Sequence, residues 1–410
     1  MKNSKILIIS ALPFNDSSVA RAFNTYFLNI KKENLFQFYV SDGEPDRSKC
    51  CEFLKINERD LLFRKSEDDK INRKSIKHKS ISNSFFVNLL RSLFWRIKKT
   101  KYTGKLIPWL EKNKPDVLFF HNSDALFMLD LALFIKKQTK KPLVFEISDD
   151  YFFNNIFSLN PFYLVYRLIY KFRFKKLMRL SSYNFYISDK MKIKYDDYFS
   201  KKSSAIYLSS TLQRGKESIN GNDLYYFGNV YNGRDDSLLM LSKTLIKIDK
   251  NAKLHVYLTL NGKNFSKKLL NLQNVILHDS VSYADVVELS KRSKALVLTE
   301  GFKKRDIKNV KFSLSTKISD SLISNRPLLA FGPKGGGSID FLCENKCGFV
   351  ATNENELAKQ ILILYSDYNN VQKRIEQQVF IFNKYFSLKK NGDECSKIFE
   401  ELSNEKDSIC

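Results

Sequence analysis

The sequence predicts an α/β protein of two domains, each built on a parallel sheet. Short apolar runs alternate with stretches of helical periodicity over residues 1–205, and the alternation restarts at residue 224. A polar, glycine-containing stretch at 211–223 lies between the two series and is typical of a domain boundary. A chain of 410 residues can bury two hydrophobic cores. This alternation favours parallel sheets that are covered by helices.

The predicted strands of the first half are short runs of mainly apolar residues, each followed by a loop or helix. Runs of this length suit buried parallel strands. We place them at 5–10, 36–41, 117–120, 143–147, 184–187 and 205–208. Residues 43–83 are polar and mixed in charge, so we expect surface connections there.

The second half repeats the same pattern with shorter loops. Helices are expected between its strands and from residues 353, 371 and 388 onwards. Pro327 bars continuation of the helix before it, which fixes the start of one strand. The predicted strands are 224–227, 254–259, 275–277, 295–299 and 328–331.

A glycine-rich turn after the strand 328–331 is a candidate anion site. Gly335, Gly336 and Gly337 precede a helix, and Ser338 is placed to cap that helix. Successive glycines before a helix N-terminus expose backbone N–H groups that can hold a phosphate. An ordinary turn between a strand and a helix explains the same residues.

Two charged residues on the preceding helix point to the same site. Lys317 and Asp320 are one helical turn apart, so both side chains can face one ligand. The alternative is that both are solvated surface charges.

This region resembles the donor-binding segment of GT-B glycosyltransferases of the group-1, or family 4, type. Asp320 stands seven residues before Pro327, where the family has a glutamate that holds the ribose hydroxyls of the nucleotide. The family's first glutamate would fall on Phe312. The sequence Glu300-Gly301-Phe302 matches the family's Glu-Gly-Phe only if residues 303–310 belong to an insertion.

The resemblance implies a GT-B fold, in which two Rossmann-like doubly wound domains face a central cleft. It places an acceptor-binding domain at 1–210 and a domain that binds a nucleotide-diphosphate sugar at 223–385. Residues 386–410 would form a C-terminal helix that returns to the first domain.

The resemblance also implies how the donor is held. The family has an arginine directly after the first glycine of this domain, whereas Asn229 follows Gly228 here; Arg234 can substitute, with Lys317 as the second cation. A retaining transfer without metal or other cofactor is implied, with the diphosphate neutralised by cations and backbone N–H groups. Lys317 is thus expected to be catalytic. The expected donor-binding residues are Gly228, Arg234, Asp320, Gly335, Gly336, Gly337 and Ser338.

Two polar residues follow strands of the first half and are acid/base candidates. His121 ends the strand 117–120, and Asp149 follows the strand 143–147. Side chains at the carboxyl ends of parallel strands face the ligand crevice. The family also has a histidine at the first position, but often a second one where Ser148 stands. A strand-end histidine with a purely structural role is the alternative.

The net charge of +25 lies mainly in the first half. Residues 84–110 and 161–180 combine helical apolar stripes with many lysines and arginines, which is typical of helices lying on an anionic membrane. Core-packed helices with a solvated basic side explain the same pattern. An A/T-rich genome would also enrich lysine. The chain has no recognisable nucleic-acid-reading module, so we expect no nucleic-acid partner.

The cysteines and the hydropathy of the chain give an expectation for the cellular location of the protein. The six cysteines form no C-x-x-C pair and only four histidines occur, which argues against a zinc site or a disulfide framework. Free thiols suit a reducing cytosol. We read no signal peptide, and the polar residues within 117–135 argue against a transmembrane helix there. We therefore expect a cytoplasmic protein, or a peripheral one on the inner face of the plasma membrane.

The resulting prediction is a glycosyltransferase of the hexosyltransferase type. It would move sugar from a nucleotide-diphosphate sugar to a glycan acceptor, expected to be lipid-linked, in bacterial surface polysaccharide synthesis. A polyol-phosphate transferase of the same fold is one alternative. A catalytically inactive scaffold subunit is another, because the sequence departs from the family at Phe312, Ser148 and Asn229.

Overall fold

The computed structural model describes residues 4–15, 21–62, 85–154, 158–215, 219, 221–258 and 267–405. The chain divides into two compact units. Unit 1 consists of residues 1–206 and 392–410, and unit 2 of residues 207–391. Each contains a parallel sheet with helices, as the alternation of the sequence predicts.

The sheet of unit 1 has seven strands in the order β3-β2-β1-β4-β5-β6-β7, all paired in parallel. The order reverses between β1 and β4, and ligands bind α/β sheets at such a switch point. The central strands are fully buried, as expected when helices cover both faces. The strands are β1 (Ile6–Ser10), β2 (Leu35–Tyr39), β3 (Glu52–Lys55), β4 (Val117–His121), β5 (Leu143–Ile147), β6 (Tyr183–Tyr186) and β7 (Ser203–Ala205).

The helices of unit 1 include the end of the chain. The last helix, α15 (Leu388–Asn404), joins this unit from Gly392 onwards. Phe399 stacks on Phe27 at 5.8 Å between ring centroids and also contacts Phe119 of β4. The other helices are α1 (Arg21–Tyr26), α2 (Glu58–Leu62), α3 (Phe85–Ile97), α4 (Lys99–Asn113), α5 (Leu126–Thr139), α6 (Pro161–Leu180) and α7 (Asp189–Phe199).

The sheet of unit 2 has six parallel strands in the order β10-β9-β8-β11-β12-β13, and its switch point lies between β8 and β11. Its strands are β8 (Leu224–Gly228), β9 (Leu254–Leu258), β10 (Val275–His278), β11 (Ala295–Thr299), β12 (Leu328–Phe331) and β13 (Phe349–Ala351). Its helices are α8 (Arg234–Ile248), α9 (Tyr283–Ser290), α10 (Lys304–Val310), α11 (Lys317–Ile323), α12 (Gly337–Glu344), α13 (Glu354–Ser366) and α14 (Tyr368–Tyr385).

The structure corrects several predicted elements. The surface connections expected at 43–83 include β3 and α2, and residues 63–83 lie outside the described part of the chain. The last strand of unit 1 occupies Ser203–Ala205, not 205–208. The basic helix predicted within 84–110 is two helices that meet at Lys98. In the described part of the chain, no helix has both the length and the apolar content needed to cross a membrane.

Candidate functional site

The switch point of unit 2 brings one glycine and three charged residues together. Gly228 is the last residue of β8, and Glu300 directly follows β11 on the neighbouring strand. Arg234 begins α8, and Lys317 begins α11. Because the carboxyl ends of β8 and β11 lie side by side, these four residues from distant parts of the sequence form one cluster.

Lys317 approaches the backbone at the end of β8. A Cβ added to Gly228 would overlap the side-chain nitrogen of Lys317 and lie 2.7 Å from its Cε. Gly228 has a φ of +145°, which also favours glycine. The ammonium lies 4.9 Å from the ring centroid of Tyr226, a cation–π contact. The position therefore requires glycine both for backbone conformation and for space.

The environment of Lys317 lowers its pKa to about 8. Loss of hydration is the largest cause, and the positive charge of Arg234 acts in the same direction. The Glu300 carboxylate opposes both effects. An incoming anion would favour the charged form of this lysine.

Arg234 is held in place by a bidentate contact. Its Nη2 lies 2.8 Å and its Nε 3.1 Å from Oε2 of Glu300. Its Nη1 donates to Oδ1 of Asn229 at 2.8 Å. From the sequence we predicted that Arg234 binds phosphate. In the structure, much of its guanidinium is already hydrogen-bonded to protein groups.

We did not predict Glu300 as a site residue from the sequence. Its place in Glu-Gly-Phe, which resembles the family's motif, could have indicated it. It is 2% exposed and forms the ion pair with Arg234. Helix α10 occupies most of the segment 303–310 between Glu300 and α11, where the match to Glu-Gly-Phe requires an insertion. Glu300 thus lies in the cluster despite its distance in sequence from Asp320.

Unit 2 contains a cavity of about 370 Å³ beside this cluster. Lys317 and Asp320 both line it, as their spacing on a helix predicts. Tyr283, at the start of α9, donates a hydrogen bond from its hydroxyl to Oδ1 of Asp320 at 3.0 Å. Apolar walls with a few convergent polar groups are typical of small-molecule sites. The apolar walls include Tyr225, Phe227, Val286 and Val297.

The glycine turn follows β12, the strand that pairs with β11. Gly335, with a φ of +92°, donates its N–H to Oδ1 of Asp340 at 2.8 Å. Gly336 is the N-cap residue of α12, and a Cβ on Gly337 would collide with backbone carbonyl oxygens that include that of Ser313. Among the described residues, those that line the cavity do not include this turn. The phosphate-binding role of this turn therefore stays a prediction.

Ser338 does not cap α12 as predicted. The helix begins at Gly337, and Gly336 makes no side-chain cap. The Ser338 hydroxyl is buried and accepts a hydrogen bond from the backbone N–H of Ser315 at 3.0 Å. It therefore ties α12 to the segment that leads into α11. The helix begins two residues earlier than a cap at Ser338 requires.

His121 in unit 1 forms a dyad with a residue that sequence reasoning did not select. Its Nδ1 lies 2.5 Å from Oε2 of Glu146, which stands opposite it on β5. Glu146 is fully buried and also accepts hydrogen bonds from the hydroxyls of Tyr26 and Ser148. Three donors on one buried carboxylate satisfy its charge and fix its orientation.

The dyad controls protonation of the imidazole. Burial alone lowers the pKa of His121, but the charge of Glu146 and its hydrogen bond outweigh burial, so the pKa is raised. Asp149 adds a smaller contribution in the same direction. Asp149 itself is exposed and accepts a hydrogen bond from Tyr151 at 3.2 Å. With Nδ1 held by Glu146, Nε2 is the nitrogen left to exchange a proton with a ligand.

Comparison with known proteins identifies the architecture. No protein-family model matches the chain, and no curated protein sequence matches it. HepE from Anabaena, solved with UDP-glucose, aligns with a TM-score of 0.65 over 97% of this chain and 99% of that chain, at 11% identity. A glycosyltransferase from Rickettsia africae aligns with a TM-score of 0.61 over 98% of this chain and 99% of that chain, at 14% identity.

A third similar structure is the pneumococcal O-GlcNAc transferase GtfA in complex with UDP and GlcNAc. It aligns with a TM-score of 0.54 over 70% of this chain and 56% of that chain, at 12% identity. At identities this low, the likeness establishes architecture. The predicted fold class is confirmed: the chain has the GT-B fold, with two doubly wound parallel sheets and a C-terminal helix that belongs to the first unit.

Proposed function

We propose that the protein is a glycosyltransferase whose donor is a nucleotide-diphosphate sugar. One observation carries this proposal: Lys317 and Asp320 face a single cavity beside the switch point of unit 2. A carboxylate suits ribose hydroxyls, and a cation suits a diphosphate. The GT-B fold adds support, because HepE was solved with UDP-glucose and GtfA with UDP and GlcNAc.

In this proposal each side chain has a defined task. Asp320, oriented by the hydroxyl of Tyr283, accepts hydrogen bonds from the ribose. Lys317 places its ammonium at the diphosphate, where negative charge builds up as the bond between the sugar and the diphosphate breaks and the nucleoside diphosphate leaves. Arg234 and Glu300 form an ion pair beside Lys317 and tune its charge. Binding of the diphosphate would raise the pKa of Lys317 and keep it charged.

We further propose a retaining hexosyl transfer that needs no metal ion. Its support is the resemblance of the donor segment and the positive charge of Lys317 at the switch point, beside the ion pair of Arg234 and Glu300. For the acceptor we propose a lipid-linked glycan of bacterial surface polysaccharide synthesis. In unit 1, the dyad of His121 and Glu146 offers a proton-exchanging nitrogen that an acceptor hydroxyl can contact.

A thermal-shift screen of nucleotide diphosphates and their sugars tests the donor assignment. We expect stabilisation by one nucleotide class in buffer with a chelator, since a ligand at a hundred times its Kd adds about 2.7 kcal/mol to stability. Product analysis with the stabilising sugar nucleotide then separates a transferase from an inactive scaffold. A scaffold would bind the nucleotide and release no sugar to any acceptor.

A further inference from the structure

Two neighbouring helices of unit 1 form one continuous outer face. Phe86 of α3 contacts Phe162 of α6 with ring centroids 4.9 Å apart, and Arg173 of α6 donates to Ser92 of α3 at 3.5 Å. Later residues of α3 thus meet later residues of α6, so the helices run in the same direction. Their outward stripes lie side by side.

Both outward stripes are apolar. On α3 the exposed side chains recur at spacings of three and four residues, which places them along one line of the helix. Ile97 is 67% exposed, and Leu168 and Phe172 of α6 are each 70% exposed. The full set of exposed apolar residues is Phe86, Leu90, Leu93 and Ile97 on α3 with Phe162, Leu164, Val165, Leu168 and Phe172 on α6.

Apart from the contact between Phe86 and Phe162, the packing of both helices is provided by their opposite sides. The opposite sides of both helices are buried in the core, with Trp95 on α3 and Tyr166, Tyr170 and Phe174 on α6. A surface helix that packs on its own core normally turns polar residues to solvent. Contiguous exposed apolar surface of this kind marks an interaction site.

The charge of α3 and α6 indicates which kind of partner their outer face binds. Neither α3 nor α6 contains an acidic residue. The acids of neighbouring elements that meet these helices are already paired with arginines, Glu58 with Arg91 and Asp130 with Arg173. Since the helices are parallel, the basic residues at their C-terminal ends lie at the same end of the face. They are Lys175, Lys176 and Arg179 of α6, together with Lys98 and Lys99, which directly follow α3.

We propose that this face docks on an anionic lipid bilayer. Its apolar side chains would enter the boundary between head groups and acyl chains, and its basic end would bind anionic head groups. A soluble acidic protein would use the charge but not the nine outward aliphatic and aromatic side chains. The proposal goes beyond donor binding and rests on the proposed function only in suggesting that the acceptor is reached at the membrane.

The test is flotation of the full chain with vesicles of phosphatidylcholine alone or mixed with phosphatidylglycerol, without nucleotide. We expect the protein to float only with the anionic vesicles, and less so as salt is added. Replacing Lys98, Lys99, Lys175 and Lys176 with glutamate should weaken binding at least tenfold, because each basic residue near such a surface contributes about 1 kcal/mol. A second variant, Leu168→Ser with Phe172→Ser, should also release the protein.

Matched controls lie on unit 2. Four exposed lysines, Lys243, Lys247, Lys250 and Lys267, receive the same charge reversal. The exposed aromatics Tyr368 and Phe380 are changed to serine as the apolar control. Both controls should float like the wild type, and melting curves should show that every variant is folded.

Several outcomes would overturn the proposal. Wild-type protein that stays with the soluble fraction, or controls that lose binding as much as the face variants, would exclude a specific lipid surface. A dimer in light scattering that disappears in Leu168→Ser with Phe172→Ser, without vesicle binding, would assign the face to a second copy of the chain. Because no step uses nucleotide or turnover, failure of the donor assignment leaves this result intact.

Discussion

The side-chain nitrogen of Lys317 occupies the space where a β-carbon of residue 228 would stand, and glycine at that position admits it. This contact links the first turn of α11 to the end of β8 at the switch point of unit 2. It fixes where Lys317, which also lines the cavity beside Asp320, can place its charge.

The variant Gly228→Ala is therefore expected to lose nucleotide affinity, and alanine at a φ of +145° should also lower its melting temperature without unfolding it. The added methyl group must displace Lys317, and loss of a contact to a charged group costs about 1.5–3 kcal/mol, or roughly a tenfold to hundredfold change in Kd. Calorimetry with the nucleotide found in the screen gives the measurement. Gly104→Ala is the matched control, because a Cβ there meets no atom within 4 Å. If Gly228→Ala and Gly104→Ala bound the nucleotide with equal affinity, Lys317 would not contact the ligand.

Replacing Lys317 itself should affect turnover more than folding. Lys317→Ala removes the cation at the leaving diphosphate, and loss of one such stabilising group typically slows turnover by about a hundredfold or more. The rate should not recover with added magnesium. Full activity in Lys317→Ala, or activity that requires a divalent metal, would show that the diphosphate is bound elsewhere.

Nucleotide affinity should fall as the pH rises through the pKa of Lys317, which is about 8. The charged lysine binds the diphosphate and the neutral form does not, so affinity is fully present below this pH and declines above it. Titrations from about pH 7 to about pH 9 follow the change. Lys317→Arg should remove the dependence, because arginine stays charged throughout this range. A variant with an unchanged profile would assign the titration to another group.

Asp320 and Tyr283 should act together on the ribose. Asp320→Ala is expected to weaken binding of a ribonucleotide and to leave binding of the dideoxy nucleotide almost unchanged, since that ligand has no ribose hydroxyls to lose. Tyr283→Phe removes the hydrogen bond that orients the carboxylate and should produce a smaller loss of the same kind. If either variant lost as much affinity for the dideoxy nucleotide as for the ribonucleotide, the nucleoside would be bound in a different orientation.

Glu146→Gln should lower the pKa of His121. The carboxylate overcomes the effect of burial in the native protein, and a nearby opposite charge typically shifts a pKa by about 1–3 units. An NMR titration of the imidazole reports the value. Ser148→Ala is the control, because it removes one donor to Glu146 but keeps the charge. An unchanged His121 pKa in Glu146→Gln would contradict the role of the dyad.

The same dyad predicts a pH dependence of stability. His121 binds its proton more tightly in the folded than in the unfolded chain, because its folded-state pKa lies above 6.5. Its contribution is therefore fully present below about pH 6.5 and is lost as the pH rises through the folded-state pKa. Unfolding in denaturant at a series of pH values should show this loss in the wild type and not in His121→Gln. A similar slope in both proteins would contradict it.

The sequence predicted most of the fold because buried strands and amphipathic helices have local patterns. It missed β3 and β13, which lie at sheet edges and are short, and β3 is only partly buried. The spacing of Lys317 and Asp320 was sufficient to predict that they share a cavity, since one helical turn relates them. Because both residues lie on α11, no contact with a distant part of the chain is needed to bring them together.

Other parts of the site depend on contacts that sequence spacing does not contain. Glu146 faces His121 because β4 and β5 pair in a particular register. Glu300 reaches Arg234 because the order of β8 and β11 in the sheet brings residues 66 apart in sequence into contact. Backbone amides of the glycine turn appeared available from composition alone, yet Asp340 binds the N–H of Gly335.

Calorimetric titration of UDP and UDP-glucose into the full chain, with a chelator present, tests the donor site most directly. Uridine nucleotides come first because HepE was solved with them, and other nucleotide diphosphates follow in the same format. We expect saturable binding of one nucleotide class without metal, lost in Lys317→Ala and in Asp320→Ala while Gly104→Ala binds normally. Binding that persists in both site variants, or no binding of any nucleotide by a folded wild type, would contradict it.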